Sequence, residues 1–403
     1  MNGLLFWLIL LAAFFLAYAL GTRAAWARTV AATPEPPEMP AERMAALASR
    51  LEPILKITGG VLQFDGTLRG RVEETFRQVR DAFAGEAVTP LLLEGEHNEV
   101  RVMLLPGRMA IPAARPKWAW HGLLFLATLA TTTWAGALHA GVNLLNQPGR
   151  FAVGLPYSLG LLLILGAHEL GHYFTAKAHG IRVTPPFFIP VPFALGTFGA
   201  FIRIKSLTPD RRALFDVAVA GPLAGMVFAI PALLIGLRYS QVIPAGATGH
   251  GVEIGSSALL ACLARFSLGS SAFVGNHLLL HPLAFAGWLG LIVTALNLLP
   301  IGQLDGGHIS HALFGSRHAH AISAIALAAL FVLALFVWPG LMFWAIIVFF
   351  IAGTRDAPAA DDVTPIGWPR RLLGYFSLLL LLLIILPVPH ALYETVGLHS
   401  PYL

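Results

Sequence analysis

The chain has 403 residues, of which 57% are hydrophobic and 12% are charged. A soluble domain carries about 25% charged residues, so this composition leaves too little polar surface for a water-facing exterior and predicts a membrane protein. In a membrane protein, a net charge of +5 is typical of cytoplasmic loops beside anionic lipid. The sequence has no block of basic residues, which argues against a nucleic-acid partner. Because Cys262 is the one cysteine, a disulfide framework and any site that needs several thiolates are excluded as well.

Uncharged apolar segments predict a polytopic α-helical membrane protein with about eight transmembrane helices. The first segment, residues 3–20, precedes Arg23 and Arg28 and is interpreted as an anchor helix within a first region, residues 1–29. A cleaved signal peptide is the alternative, although the residues before the segment lack the usual positive charge. The other segments lie near residues 118–138, 154–178, 213–237, 280–299, 320–338, 340–353 and 372–388.

Residues 30–116 differ from the rest of the chain, since a Pro-rich linker is followed by charged, amphipathic sequence. This stretch predicts a small soluble α+β domain between the first two membrane helices. Its expected elements are a helix near 40–55, a strand near 60–64, a helix near 71–83 and a strand pair near 88–105.

Lysine and arginine residues cluster in alternate loops, which predicts the orientation of the chain. Under the positive-inside rule the clustered loops are cytoplasmic, so both termini lie outside and the small domain lies inside. The apolar amino-terminal segment does not resemble a Ser- and Arg-rich transit peptide, and we therefore expect a bacterial inner membrane. The clusters are Arg23/Arg28, Arg115/Lys117, Lys177/Arg182, Arg203/Lys205/Arg211/Arg212, Arg317, Arg355 and Arg370/Arg371.

Residues 184–204 are apolar but are interrupted by prolines and glycines, including Gly196 and Gly199. Such a pattern is typical of strands or of a re-entrant hairpin. Open strands cannot face lipid, because their backbone polar groups would stay unpaired there. We therefore expect this hairpin to be covered by protein or to line a cavity.

The third apolar segment contains His-Glu-x-x-His at residues 168–172. On a helix His168 and His172 share a face and can direct two imidazole nitrogens toward one metal ion, while Glu169 lies beside them within reach of a water molecule. Inserting an ionisable side chain at membrane depth costs about 2.5 to 3.5 kcal/mol. Three such side chains within the five residues 168–172 therefore indicate a function. In the alternative interpretation, the histidines bond backbone carbonyls and Glu169 pairs with an arginine.

A catalytic zinc ion needs a third protein ligand, and Asp305 is the best candidate. It follows Asn297 and Pro300, which interrupt the end of an apolar segment, and precedes a pair of glycines. Asp305 as a simple helix cap, and His308 or His311 as ligands, are the alternatives. In the fourth segment, Asp216 is expected to pair with an arginine such as Arg203 or Arg212, or to support the site.

These motifs resemble the site-2 protease family of intramembrane zinc metalloproteases. The resemblance rests on His-Glu-x-x-His followed by Asn-x-x-Pro with Leu-Asp-Gly-Gly, and it extends to Gly-Pro-x-Ala-Gly and Gly-Thr-Phe-Gly-Ala. It covers most of the chain from about residue 55 onward. Within the family, the chain is similar to the chloroplast and cyanobacterial branch called ethylene-dependent gravitropism-deficient and yellow-green-like, through segments 66–69, 186–190, 206–211 and 362–365.

The resemblance implies a zinc-dependent endopeptidase in residues 117–403. His168, His172 and Asp305 would bind Zn²⁺, and Glu169 would be the general base that activates water. The implied partners are the lipid bilayer and the transmembrane segments of substrate proteins, cut within the membrane. An intramembrane metal-binding transporter and a catalytically inactive relative are the alternative functions.

The resemblance also implies roles outside the metal ligands. Asn297 would hold substrate or shape the site. The hairpin that contains Gly196 and Gly199 resembles the membrane-embedded hairpin of the family, which could pair with an unwound substrate by strand addition.

Overall fold

A computed structural model describes residues 46, 49–51, 55–59, 63–86, 88–95, 99–106, 117–244, 257–269, 276–336, 340–353 and 358–386. The chain divides into two compact units, and each is described here by its described residues. The first comprises Met1–Ala110, Leu207–Phe215 and Pro300–Trp368, and the second comprises Ile111–Ser206, Asp216–Leu299 and Pro369–Leu403. The expected anchor helix and the Pro-rich linker lie outside the described residues, as does most of the helix expected near 40–55.

The first unit contains a four-stranded antiparallel sheet in the order β1-β2-β4-β3. Helix α1 buries Val79 against the sheet residues Phe64, Leu92 and Val102, because its apolar residues recur at helical spacing. The elements are β1 (Leu55–Gly59), β2 (Gln63–Leu68), α1 (Val72–Ala82), β3 (Val88–Glu94) and β4 (Val100–Pro106).

The helix expected near 71–83 and the strand pair expected near 88–105 are confirmed by α1, β3 and β4. The single strand expected near 60–64 is wrong in its bounds. Two strands occur here instead of one: β1 ends at Gly59, β2 begins at Gln63, and antiparallel pairing sets Leu55 opposite Leu68. A local pattern of apolar residues cannot reveal this pairing, because it depends on contact between separate segments.

Three helices complete the first unit: α7 (Asp305–Phe314), α8 (Ser316–Phe336) and α9 (Gly340–Ile351). The free edge of β3 is paired with a later part of the chain, since the Leu92 amide donates to the Ala360 carbonyl at 2.8 Å. The Ala360 amide in turn donates to the Thr208 carbonyl at 2.9 Å. Residues near 361 and 210 therefore form isolated backbone bridges beside the edge strand β3, outside the four named strands.

The second unit is built from helices that pack closely through small residues. At Gly287, for example, an added Cβ would collide with the backbone of Leu233. The elements of this unit are α2 (Trp118–His139), a 3₁₀ turn (Pro148–Gly154), α3 (Leu155–Ala178), β5 (Phe187–Pro190), β6 (Thr197–Phe201), α4 (Arg211–Arg238, from residue 216 onward), β7 (Gln241–Pro244), α5 (Ala258–Leu268), β8 (Asn276–Leu279), α6 (Pro282–Leu298) and α10 (Trp368–Ile385, from residue 369 onward).

Four helices of the described chain are long and apolar enough to cross a membrane: Pro148–Ala178, Arg211–Arg238, Ser316–Leu335 and Trp368–Ile385. Helices also occupy three more of the positions predicted to span, as α2, α6 and α9. The first predicted span lies outside the described residues. The membrane-protein architecture is therefore supported, and the count of eight spans stays a prediction.

Residues 184–204 form the expected strand hairpin. Strands β5 and β6 are antiparallel, with Phe187 opposite Phe201. Helix α2 covers the hairpin, since the Thr131 hydroxyl donates to the Gly196 carbonyl at 2.7 Å. His121, also on α2, lies 3.0 Å from the Pro186 carbonyl through its Nδ1 atom. These contacts satisfy backbone groups that lipid would leave unpaired.

Candidate metal centre

Helix α3 carries the His-Glu-x-x-His residues on its buried side. The exposed fractions of His168, Glu169 and His172 are 4%, 7% and 7%, whereas that of Leu170 is 40%. Helix α3 begins at Leu155, and none of its residues before Glu169 is Asp, Glu, Lys or Arg. The helix therefore encloses three ionisable side chains within protein rather than presenting them to lipid.

The two imidazoles face one another. The Nε2 atoms of His168 and His172 are 3.0 Å apart. The other ring nitrogen of His172, Nδ1, lies 2.7 Å from the main-chain carbonyl of Val217 on α4. Because a carbonyl only accepts hydrogen bonds, Nδ1 carries the proton, and Nε2 of the neutral ring keeps its lone pair.

This donor set fits a zinc ion. Two imidazole ligands at about 2.0–2.1 Å from a tetrahedral zinc ion place their nitrogens about 3.3 Å apart. The observed separation of 3.0 Å between the two Nε2 atoms is close to that value. Burial also suits the site, because an ion there is shielded from water and its ligands are held by packing.

Close packing between α3 and α4 makes room for the His172 ring. A Cβ added at Gly221 would collide with the ring at Nε2, and one at Gly171 would collide with the Ala220 carbonyl. At Gly225 the added Cβ would lie 3.3 Å from the His168 Cβ atom. The small residues of Gly-Pro-x-Ala-Gly therefore let α4 approach the histidines.

Sequence reasoning used Gly-Pro-x-Ala-Gly only as part of the family resemblance, and it did not identify Val217. The spacing of the glycines was an available signal for close helix packing, whereas a backbone carbonyl leaves no signal in a sequence.

Asn297 lies near the carboxyl end of α6, which ends at Leu298. Its side-chain amide nitrogen is 3.2 Å from the His168 Nε2 atom. The structure thus brings together His168, His172 and Asn297 within the second unit, although 129 residues separate His168 from Asn297.

Asp305 is the first residue of α7 in the first unit. The preceding turn is held through its own backbone amides: the Gly302 amide donates to the Ser323 hydroxyl at 3.1 Å, and the Gln303 amide donates to the Ala352 carbonyl at 3.2 Å. Gly302 has φ of +47°, and an added Cβ there would collide with the Gly353 carbonyl. Only glycine fits this turn, which fixes the start of α7.

The structure gives partners to two other polar residues that the sequence singled out. His311 lies 2.9 Å from the Asp362 carboxylate through its Nε2 atom, so this nitrogen is directed at a carboxylate. Asp216 pairs with Arg370 through two contacts of 2.7 and 2.8 Å. It also lies 3.1 Å from the Nε2 atom of His179.

The expected partner of Asp216 is therefore corrected. Arg212 instead forms an ion pair with Glu73, and the Arg212 Nε atom donates to the Pro365 carbonyl at 3.1 Å. Arg370 comes from the last described helix, 154 residues away, where sequence proximity offers no guide.

Gly196 and Gly199 both lie in the hairpin with positive φ, at +79° and +96°. A Cβ at Gly196 would meet the Thr132 Cα atom of α2, whereas open space surrounds the Cβ position of Gly199. The hairpin itself packs beside the histidine helix, since the Phe188 ring lies 3.8 Å from a Cβ built at Gly166.

Comparison with known proteins agrees with this architecture. Residues 156–338 match the family described as Peptidase family M50. The probable chloroplastic zinc metalloprotease EGY2 of Arabidopsis thaliana is 32% identical over 342 residues, covering 83% of this chain and 61% of that protein. The probable chloroplastic zinc metalloprotease EGY1 of Oryza sativa subsp. japonica is 32% identical, and the match covers 87% of this chain and 66% of that protein. The protein of the same name from Arabidopsis thaliana is 30% identical, and the match covers 86% of this chain and 69% of that protein. No solved structure is significantly similar to the chain.

The fold and the paired imidazoles define a helical membrane protein with a His-Glu-x-x-His motif on one of its apolar helices. The chain belongs to peptidase family M50, the site-2 protease family. The resemblance drawn from its motifs is confirmed, including the similarity to the EGY branch. The chain spans less than two thirds of the length of the first two relatives named above.

Proposed function

We propose that the protein is an intramembrane zinc metalloprotease that hydrolyses peptide bonds in transmembrane segments of other membrane proteins. The observation that carries this proposal is the buried pair of Nε2 atoms of His168 and His172, 3.0 Å apart on an apolar helix with Glu169 beside them. Membership of family M50 and the printed names of the EGY relatives support zinc and proteolysis.

The proposed chemistry assigns one task to each residue. His168, His172 and Asp305 hold zinc, which when bound supplies Lewis-acid polarisation of the scissile carbonyl and of the attacking water. Glu169 takes a proton from that water as general base and can return it to the leaving amine. The Val217 carbonyl keeps the proton of His172 on Nδ1, so that Nε2 is available as a ligand.

The assignment of Asp305 as third ligand has two supports. Carboxylate is an ordinary partner of two histidines in a catalytic zinc site. Asp305 also begins α7 after a turn whose backbone is pinned by Gly302 and Ser323, which suits a side chain that must hold a fixed position. We expect Asp305→Asn to lower zinc occupancy, and an unchanged zinc content in the purified variant would exclude this role.

The proposed substrates meet the protein at the hairpin. An extended, unwound segment could pair with a strand of β5 or β6, where main-chain hydrogen bonds bind without regard to sequence. Gly196 and Gly199 shape this hairpin through their positive φ angles. Asn297, beside His168, is positioned to hold a substrate carbonyl or the attacking water.

The proposed location is a bacterial inner membrane, with the four-stranded sheet on the cytoplasmic side. The clustering of lysine and arginine in alternate loops supports this orientation. The relatives named here are chloroplastic, so a chloroplast membrane is the competing location. Reporter fusions after residues 110 and 239, with a cytoplasmic and an external reporter at each point, test the orientation.

The decisive experiment combines metal analysis with cleavage. Wild type, His172→Ala and Glu169→Gln are purified in detergent without chelators, and zinc is measured together with hydrolysis of casein and of a fluorogenic transmembrane peptide. We expect about one zinc ion per chain in wild type and in Glu169→Gln, with loss of zinc in His172→Ala and loss of cleavage in both variants.

Other outcomes identify the alternatives. Zinc without Glu169-dependent cleavage of either probe would indicate an inactive relative or a transporter. Wild type that retains no metal would remove the basis of the proposal.

A further inference from the structure

A cluster of charged side chains lies in the first unit, apart from the residues used by the proposed chemistry. Arg211 contacts the Glu94 carboxylate and the Asp362 main-chain carbonyl through Nη2, and its Nε atom lies 3.5 Å from the Asp362 carboxylate. His311 lies 2.9 Å from the same carboxylate. The side chains of Arg211, Asp362 and His311 are only 9%, 1% and 2% exposed.

Backbone hydrogen bonds hold Asp362 in place within this cluster. Its amide donates to the Leu92 carbonyl of β3 at 2.8 Å, and the Arg211 amide donates to the Asp361 carbonyl at 3.0 Å. The Asp361 carboxylate accepts from the amides of Val363 and Thr364, which closes the turn that follows. Asp362 is therefore fixed to the edge of the sheet.

Helix α7 contacts this cluster at two points. His311 lies on the helix six residues after Asp305, and Gly315, just past its end, is packed so closely that an added Cβ would collide with the Glu94 carboxylate. A helix of ten residues is a rigid rod about 15 Å long, so holding it at two points sets the direction of its first residue. That residue is Asp305.

The burial of these groups also indicates a geometric role. Charges removed from water are costly, and well-packed apolar side chains often stabilise a protein as well as a buried ion pair does. A charged cluster gives directional contacts that apolar packing lacks, since each hydrogen bond fixes an angle as well as a distance.

We propose that Asp362 is a positioning residue for the metal centre: through His311 and Arg211 it sets the position of α7, and thereby of the Asp305 carboxylate, relative to strand β3. This inference rests on the proposed function, because Asp305 is a metal ligand only there. It assigns a role to the Asp-Val-Thr-Pro segment at 362–365 and to Arg211, which the proposed chemistry leaves without one.

The test measures zinc affinity by chelator competition and records the visible spectrum of the Co²⁺-substituted protein. Asp362→Asn is expected to weaken zinc binding about tenfold and to alter the cobalt spectrum, because a displaced ligand changes the metal geometry. The matched control is Glu73→Gln, which removes the ion pair between Glu73 and Arg212, also in the first unit. The Glu73 side chain is 59% exposed. The control is expected to leave both readouts unchanged.

A double variant distinguishes positioning from general destabilisation. If Asp362 acts through Asp305, then Asp362→Asn adds no further loss of zinc affinity in the Asp305→Asn background. Additive losses, or a folded Asp362→Asn protein with wild-type affinity and spectrum, would overturn the inference. These outcomes can be told apart from failure of the proposed function, which would show as wild type that lacks zinc or lacks Glu169-dependent cleavage.

A milder variant covers the case in which Asp362→Asn does not fold. Glu94→Gln breaks only the outer contact of the cluster, where the Glu94 side chain is 30% exposed. We expect a shift in zinc affinity of about two- to threefold in the same direction. An unchanged affinity in this variant would then overturn the inference.

Discussion

The Nδ1 atom of His172 donates to the main-chain carbonyl of Val217 at 2.7 Å, across the contact between α3 and α4. This hydrogen bond sets the rotation of the ring and leaves the lone pair on Nε2, the nitrogen that the proposed function assigns to zinc. The position of α4 therefore controls the orientation of a ring that lies on α3.

The first prediction concerns Gly221 on α4, where an added Cβ would collide with the His172 ring. In Gly221→Ala the new methyl group must displace the ring or the helix, so we expect zinc affinity to fall at least about tenfold. Alanine favours the helix over glycine by about 1 kcal/mol, so a loss of zinc affinity in this variant cannot be ascribed to helix propensity. Chelator competition measures the change. The control is Gly122→Ala, a helical glycine whose Cβ position has no heavy atom within 4 Å; equal affinities in both variants would contradict the prediction.

The second prediction concerns the Asp216–Arg370 pair, next to Val217 in sequence. Two contacts of 2.7 and 2.8 Å make the pair bidentate, but the Arg370 side chain is 36% exposed and is partly screened by solvent. We expect Arg370→Gln to lower the free energy of unfolding by about 0.5–1 kcal/mol, with a smaller difference at high salt. Thermal unfolding in detergent at two salt concentrations measures this. Arg371→Gln, at the exposed neighbouring position, is the matched control and should show a smaller loss.

The third prediction compares the two hairpin glycines. Both have positive φ, which costs a non-glycine residue about 1–2 kcal/mol. At Gly196 an added Cβ also collides with the backbone of Thr132, whereas at Gly199 it meets open space. Gly196→Ala should therefore destabilise the hairpin clearly more than Gly199→Ala, as measured by the rate of limited proteolysis within 184–204. The reverse order would mean that the hairpin does not pack on α2 in this way.

The fourth prediction concerns Asn297, whose amide nitrogen lies 3.2 Å from the His168 Nε2 atom. If Asn297 holds the substrate carbonyl as proposed, Asn297→Ala should keep about one zinc ion per chain and reduce kcat about 10²-fold, the usual effect of removing one donor to a developing oxyanion. The control is Thr294→Ala, which removes a buried hydroxyl that donates to the Gly290 carbonyl one turn earlier. Equal turnover in the two variants would show that Asn297 only packs against His168.

Much of the site could be predicted because its central element is local. A spacing of four residues on a helix places His168 and His172 on one face whatever the rest of the chain does. The glycines and prolines between 184 and 204 likewise predicted a hairpin, because these residues restrict the backbone at their own positions. The small sheet was predicted less well, since the pairing of β1 with β2 depends on register between two segments.

The sequence by itself determined the membrane class, the His-Glu-x-x-His helix and the membership of the site-2 protease family, because composition and local spacing carry that information. Only the tertiary structure decided which groups hold those residues in place. The partners of His172, His311 and Asp216 lie 45, 51 and 154 residues away in the chain, and one of them is a backbone carbonyl. Such contacts depend on how the helices pack, and side-chain types along a sequence do not record that packing.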